Sequence, residues 1–211
     1  MNKTLIIGAS GQIGKMTTQQ MLDNGQAVVA LVRDKSKLAD ISSDKLQIVE
    51  ADLEEDFSHA FEGCDQVIFS AGSGGKTGAD KTMLIDLWAA CKAADYAKAA
   101  NVSHFVMVSS IGADEPSSGS EKMRPYLVAK HMADEHLIRS GLNYTILRPG
   151  SLNNNDATDK VQTQRPSNRD DMVISREDVA HALSYVVGKT ELNGKIFELF
   201  NGDKDLAEVL S

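Results

Sequence analysis

The chain has 211 residues, 42% of them hydrophobic and 25% charged, and a net charge of −8. That length suits one α/β domain with a sizeable core, and that charge disfavours a nucleic-acid backbone or an anionic membrane as partner. No apolar run reaches the roughly 18 residues of a membrane span, and Met1-Asn2-Lys3 leads into a strand with no long apolar leader, so a cytoplasmic location is expected. Cys64 and Cys91 stand singly, without metal-ligand spacing, and read as reduced structural thiols.

The first elements are the most informative. Lys3-Thr4-Leu5-Ile6-Ile7 enters Gly8-Ala9-Ser10-Gly11-Gln12-Ile13-Gly14, and a helical pattern runs on to about Asn24, stopped by Gly25. In this spacing Gly8 permits a tight turn, Gly11 lets the backbone approach a diphosphate, and Gly14 lets the helix pack closely on the strand. The amides from Ser10 to Gly14 then offer the positive end of a helix to phosphate. The alternative is a glycine-rich turn without a ligand, since G-x-x-G-x-x-G differs from the general G-x-G-x-x-G fingerprint.

Ala27–Val32 is apolar throughout and reads as a buried second strand ending at Arg33-Asp34. Leu46–Val49 is the third strand, closing on Asp52-Leu53, and a short helix after it stops at Gly63. Gln66–Gly72 is the fourth strand, a long helix spans about 80–100, and Phe105–Val108 is the fifth strand, ending at Ser109-Ser110. A loop over 112–121 precedes a helix over about 125–140, and Tyr144–Leu147 is the sixth strand, halted by Arg148-Pro149-Gly150. Residues 151–171 are polar and without a period, which marks a substrate-side loop. Ser175 then caps a helix ending near Gly188, and Ile196–Phe200 is the last strand. Strands alternating with helices require parallel pairing and right-handed crossovers. The chain therefore reads as one doubly wound α/β domain over 1–211, a Rossmann fold of about seven strands.

In such a sheet the ligand lies beyond the carboxyl ends of the strands. An acid after the second strand would bind the 2′-hydroxyl of NAD. Arg33 stands there instead and suits the 2′-phosphate of NADP. Asp34, beside it, is either a competing acid or a surface charge opposite Lys35 or Lys37. Asp52 and Leu53 are placed to touch the adenine, Asp52 alternatively capping a helix. Ala71 and Gly72 line the nicotinamide side. The run Ser70-Ala71-Gly72-Ser73-Gly74-Gly75-Lys76-Thr77 approaches a P-loop but has serine where the first glycine belongs, which disfavours an NTPase.

Tyr126 and Lys130 lie four apart on one helix face, where the ammonium favours the phenolate and the phenol can exchange a proton with a carbonyl oxygen. Ser110 can orient that oxygen. Tyr185 and Lys189 repeat the spacing, but Gly188 ends their helix and no serine-bearing strand end precedes them. His131 and His136 are five apart and do not share a face as two metal ligands would; His59, His104 and His181 are isolated, so no metal is expected. Trp88 and the methionines read as core or groove lining.

Taken together, Gly8-Ala9-Ser10-Gly11-Gln12-Ile13-Gly14, Val32-Arg33-Asp34, Val108-Ser109-Ser110-Ile111-Gly112-Ala113-Asp114, Tyr126 with Lys130, and Leu147-Arg148-Pro149-Gly150 resemble the atypical short-chain dehydrogenase/reductases. The resemblance spans essentially the whole chain and is closest to the small bacterial NAD-dependent epimerase/dehydratase-like proteins. These are related to NmrA-like proteins and to flavin and biliverdin reductases. It implies a seven-stranded Rossmann core, NADP binding and an active site of Ser, Tyr and Lys with an Asn. Here Asp86 replaces that Asn, a departure that puts ordinary alcohol dehydrogenase chemistry in doubt; Asp86 as a plain helix charge is the alternative.

The expected function is NADPH-dependent reduction of a small carbonyl, quinone or flavin-like acceptor, with Ser110, Tyr126, Lys130 and Asp86 as the catalytic set. Two alternatives stand beside it: an NADP-binding redox sensor without turnover, and a nucleotide-sugar epimerase or dehydratase. The second is disfavoured by the short stretch after Pro149. The expected partner is a small-molecule substrate, and self-association into a homo-oligomer stays open.

Overall fold

Strand β1 (Lys3–Ile7) pairs in parallel with β2 (Ala27–Val32) on one side and β4 (Gln66–Phe69) on the other. The computed structural model describes residues 2–75 and 77–211. With β3 (Leu46–Glu50), β5 (His104–Val108), β6 (Tyr144–Pro149) and β10 (Lys195–Asn201), seven parallel strands run in the order β3-β2-β1-β4-β5-β6-β10. The order reverses between β1 and β4, where a doubly wound sheet opens its ligand crevice. Two short strands, β8 (Lys160–Gln162) and β11 (Lys204–Asp205), extend the β10 edge in antiparallel fashion, so the sheet has nine strands rather than seven.

Helices cover both faces. Leu5 and Ile7 enter one core and Ile6 the other, which is why β1 is apolar at consecutive positions. On the first face lie α3 (Ala90–Ala99) and α4 (Arg124–Arg139), on the second α1 (Gln12–Asp23) and α5 (Arg176–Val186). Ala90, Ala93, Ala94 and Ala97 are fully buried, so α3 lies close on the sheet. Gly25 (φ +74) ends α1 as expected, its amide and that of Gln26 satisfying the carbonyls of Leu22 and Met21.

The helix expected over 80–100 is one run from α2 (Ala79–Lys81) through a π-helix (Thr82–Ala89) into α3. π geometry is rare and gathers at functional sites. Trp88 and Met83 on the π segment are 55% and 49% exposed, and Met123 and Met132 are exposed on or beside α4, so these do not join the core as Met21 and Met107 do.

Residues 151–171 are not one structureless loop. β7 (Ser151–Asn153) pairs with β9 (Val173–Ser175) in a separate two-stranded sheet, and β8 joins the main one. The first turn of α5 clasps the chain between them. Arg176 Nη1 donates to Asn153 O (3.1 Å), Glu177 Oε2 accepts from the Ala157 amide (2.8 Å), and Asp178 Oδ1 accepts from the amides of Thr158 (3.1 Å) and Asp159 (2.9 Å). Three-residue strands held by backbone groups are too short to show a period in sequence.

Candidate functional site

A cleft of about 360 Å³ opens at the carboxyl ends of β1 to β4. Its floor is the glycine turn, with Gly8, Ser10 and Gly11 on the wall. Gly8 has φ +87, and a Cβ there would lie 2.7 Å from the Ala71 backbone; a Cβ on Gly14 would lie 2.3 Å from Gly8 O. Side chains are therefore excluded where the helix, the first strand and the fourth strand meet. Gly11 is the N-cap of α1 and offers no side-chain cap, and the first turn carries no acid. The amides of Gln12, Ile13 and Gly14 are thus left for an anion.

Arg33 and Lys37 both line the cleft past β2. Asp34 is committed elsewhere: its Oδ1 accepts from the Ser36 hydroxyl (2.6 Å) and the Ser36 amide (3.0 Å). Those bonds, the hydroxyl first, hold its carboxyl below the ordinary value, and it caps the 3-10 turn Lys35–Leu38. Asp34 is thus an exposed charge beside Lys37, as one of the sequence alternatives has it, and it also serves as a local cap. Leu53 lines the cleft, whereas Asp52 Oδ1 accepts from the Glu54 amide (3.0 Å) and is not on the wall. Glu54 and Lys81 pair across the rim.

Ala71 and Gly72 line the cleft on the β4 side. Asp86, on the π-helix and 2% exposed, accepts from the Ser73 amide (3.1 Å), and a Cβ on Gly72 would lie 3.0 Å from its Oδ1. Asp86 thus holds the turn that follows β4. Of the P-loop-like run, Lys76 lies outside the described residues.

Ser110, Tyr126 and Lys130 lie past β5 and on α4. Ser110 Oγ donates to Ile111 O (3.1 Å), and Lys130, 2% exposed, donates from Nζ to Val108 O (2.7 Å). Tyr126 is half-buried. Among the described residues no hydrogen bond joins the three. One turn past Lys130 stands Asp134, which the sequence reading missed although it continues the series Tyr126, Lys130 at the same interval. It is fully buried; its Oδ2 accepts from Ser109 Oγ (2.8 Å) and from Arg148 Nε (3.1 Å) and Nη2 (3.0 Å). Burial pushes its carboxyl above the ordinary range against the pull of Arg148, Lys130 and Ser109. Asp134 thereby ties α4 to the ends of both β5 and β6.

The second tyrosine–lysine pair takes another course, with Lys189 lying over the Tyr185 ring at 3.2 Å after α5 has ended. Among the described residues one grouping has metal-ligand reach, namely Asp159, Asp178 and His181. Asp178 there already accepts from the Thr158 and Asp159 amides and from Ser175 Oγ (2.8 Å), and His181 Nδ1 donates to Asp159 (2.5 Å). No helix is long and apolar enough to cross a membrane among the described residues.

Comparison with known proteins follows the same line. A family described as NAD(P)H-binding matches residues 8–190. YhfK of Bacillus subtilis, called an uncharacterized sugar epimerase, is 40% identical over 99% of this chain and 98% of its own. A Bacillus halodurans structure, named for an inferred NAD-dependent epimerase/dehydratase role, is 41% identical, with a TM-score of 0.92 over 100% of this chain and 99% of its own. The oxidoreductase ylbE of Lactococcus lactis is 26% identical, with a TM-score of 0.85 over 99% and 94%.

Proposed function

The chain belongs to the NAD(P)H-binding family, and from that premise we propose that it is an NADP-dependent oxidoreductase moving a hydride between NADPH and a small carbonyl, quinone or flavin-like acceptor. The observation that carries the NADP reading is the pair Arg33 and Lys37 on the cleft wall, with Asp34 withdrawn onto Ser36. Two cations, unpaired among the described residues, with the wall acid Glu54 held by Lys81 and Asp34 Oδ1 held by Ser36, favour a 2′-phosphate over a 2′-hydroxyl. Free, buried Cys64 and Cys91, with thiols pushed up to about 11 by burial, suit a reducing cytoplasm.

The cradle fits a dinucleotide: the positions a Cβ would fill at Gly8 and Gly14 are closed by backbone, and the α1 amides are uncapped. A bound nicotinamide would supply the hydride chemistry, and the rest falls to this chain. Gly8, Ser10 and Gly11 receive the diphosphate, with the amides of Gln12, Ile13 and Gly14 behind them. Asp86 keeps the Ala71–Gly72 wall in place through the Ser73 amide. Ser110 orients the acceptor oxygen by turning its hydroxyl away from Ile111 O. Tyr126 delivers the proton, and the Lys130 ammonium stabilises the phenolate left behind.

Fluorescence titration of NADPH against NADH tests the cofactor. Arg33→Asp is expected to weaken NADPH by about 10- to 100-fold, the scale of one charged hydrogen-bonding group, and to leave NADH unharmed. Equal affinities in the unaltered protein would refute the preference. With a panel of carbonyls, quinones and flavins, Tyr126→Phe is expected to cut turnover by about 10² to 10⁴-fold with NADPH affinity intact.

A second reading, an NADPH-binding sensor, draws support from the missing hydrogen bonds among Ser110, Tyr126 and Lys130. Tight NADPH binding without turnover on that panel would establish it. The relatives' names keep a sugar epimerase in the test, and a product of inverted configuration would assign the chain there.

A further inference from the structure

Arg165, in the stretch between β8 and β9, reaches two carboxylates on different elements. Its Nε donates to Glu198 Oε2 (2.9 Å) on β10, and its Nη2 donates to both Asp114 oxygens (3.2 and 3.1 Å) and also pairs with Glu198 Oε1. Asp114 sits one turn past Ser110 in the loop after β5, where Ala113 donates its amide to Ser110 O (3.2 Å). Glu198 is the register neighbour of Arg148, and Arg148 holds Asp134. Asp134, Arg148, Glu198, Arg165 and Asp114 thus form a row of alternating charge from under α4 to the outer segment. Glu198 first and then Asp114 raise the basicity of Arg165 against its burial. At Asp114 burial is the largest single influence and pushes the carboxyl up, but Arg165, a backbone hydrogen bond and Arg148 together hold it below its ordinary value.

We infer that Arg165 is a latch: gripped by Glu198 and Asp114, it pins residues 163–171 to the loop that carries Ser110, and its release opens the substrate side of the site. Among the described residues no other hydrogen bond or ion pair joins 163–171 to that loop. Within this stretch Asn168 caps only its own 3-10 turn, Arg169–Asp171. A single exposed pair would add little, but a guanidinium shared by two carboxylates is held in one geometry; Glu198 is only 18% exposed, while Arg165 and Asp114, at 43% and 41%, leave the grip open to salt. The segment is anchored at both ends, by β8 in the main sheet and by β9 against β7, so release of one side chain frees the span between without unfolding the sheet. The inference rests on Ser110 and Tyr126 being the substrate side, as in the proposed function.

Amide hydrogen exchange on the full chain, read by mass spectrometry, tests it. Arg165→Met is expected to speed exchange in 163–171 and in 110–115 together by about tenfold, with β1, β2 and β5 unchanged. Arg165→Lys should restore part of the protection, and about 0.5 M NaCl should loosen the unaltered protein in the same two segments. Asp114→Asn, which removes one arm only, should give a smaller rise in both and serves if Arg165→Met destabilises the whole chain. A response in one segment alone, or in neither, overturns the latch. NADPH titration of the same samples judges the proposed function separately, since loss of binding in the unaltered protein would sink that reading and leave the exchange result to decide the latch.

Discussion

The two halves of the sheet build their sites by different means. Around β1 to β4 the floor of the site is backbone, with glycines at 8, 11 and 14, an uncapped helix start, and the Ala71–Gly72 turn set against Asp86, while Arg33 and Lys37 stand on its outer wall. Around β5, β6 and β10 it is side-chain charge, with Asp134 buried between Ser109 and Arg148 and Arg165 shared by Asp114 and Glu198. The first half is ready for a diphosphate as it stands. In the second, Ser110 and Lys130 hold neighbouring carbonyls, which under the proposed function a substrate would draw them from.

The comparison breaks most sharply at Asp134. Asp134→Ala leaves Arg148 buried without its partner, and a loss of about 3–5 kcal/mol in urea unfolding is expected. Arg148→Met added to it should recover much of that loss, which would mark the cost as an orphaned charge rather than a cavity. NADPH affinity should change little in either variant, because the pair lies outside the cradle.

Gly14→Ala strikes the other half. A methyl placed 2.3 Å from Gly8 O forces the helix off the strand, and about 1–3 kcal/mol of stability should go with it. Here NADPH binding should fall at least as far as stability does. If calorimetry shows the melting temperature lowered but the affinity kept, the glycine turn is structural only.

The mildest effect comes from His104, at the foot of β5 and fully buried. The Gly188 amide donates to its Nδ1 (3.0 Å), so Nε2 carries the proton and donates to Thr145 Oγ1 (3.0 Å), which donates to Leu192 O (3.0 Å). Burial lowers its pKa from the ordinary 6.5. The unfolded chain therefore takes up this proton first. Stability from His104 is complete above 6.5 and drains away as pH falls toward the lower folded value, by up to about 1.4 kcal/mol per pH unit. His104→Asn, which can still accept from Gly188, should flatten that slope in denaturation curves taken across the window. A slope unchanged by the substitution would assign the acid sensitivity elsewhere.

Much of the cradle was legible because each of its signals is local. Gly8 and Gly14 lie within one turn and one helix start, and the apolar runs of β1 and β2 announce strands buried on both faces. Arg33 was visible for the same reason, and Lys37 on the same wall could have been read four residues on. Asp34 was not interpretable, since only the fold shows Ser36 drawing its carboxylate away. Trp88 misled because helical spacing of large apolar residues does not say whether anything covers that face.

Sequence by itself determined the seven parallel strands with the main helices between them and the glycine turn, because chain stiffness, burial pattern and backbone freedom act over neighbouring residues; the short strands β7, β8, β9 and β11 came only with the tertiary structure. Tertiary structure alone decided the partners of charge. Ser109 and Asp134 stand 25 residues apart, Arg165 and Glu198 33, and Arg165 and Asp114 51. Pairing of that kind depends on which strand ends the crossovers bring side by side, and a carboxylate in a sequence carries no mark of the cation it will meet.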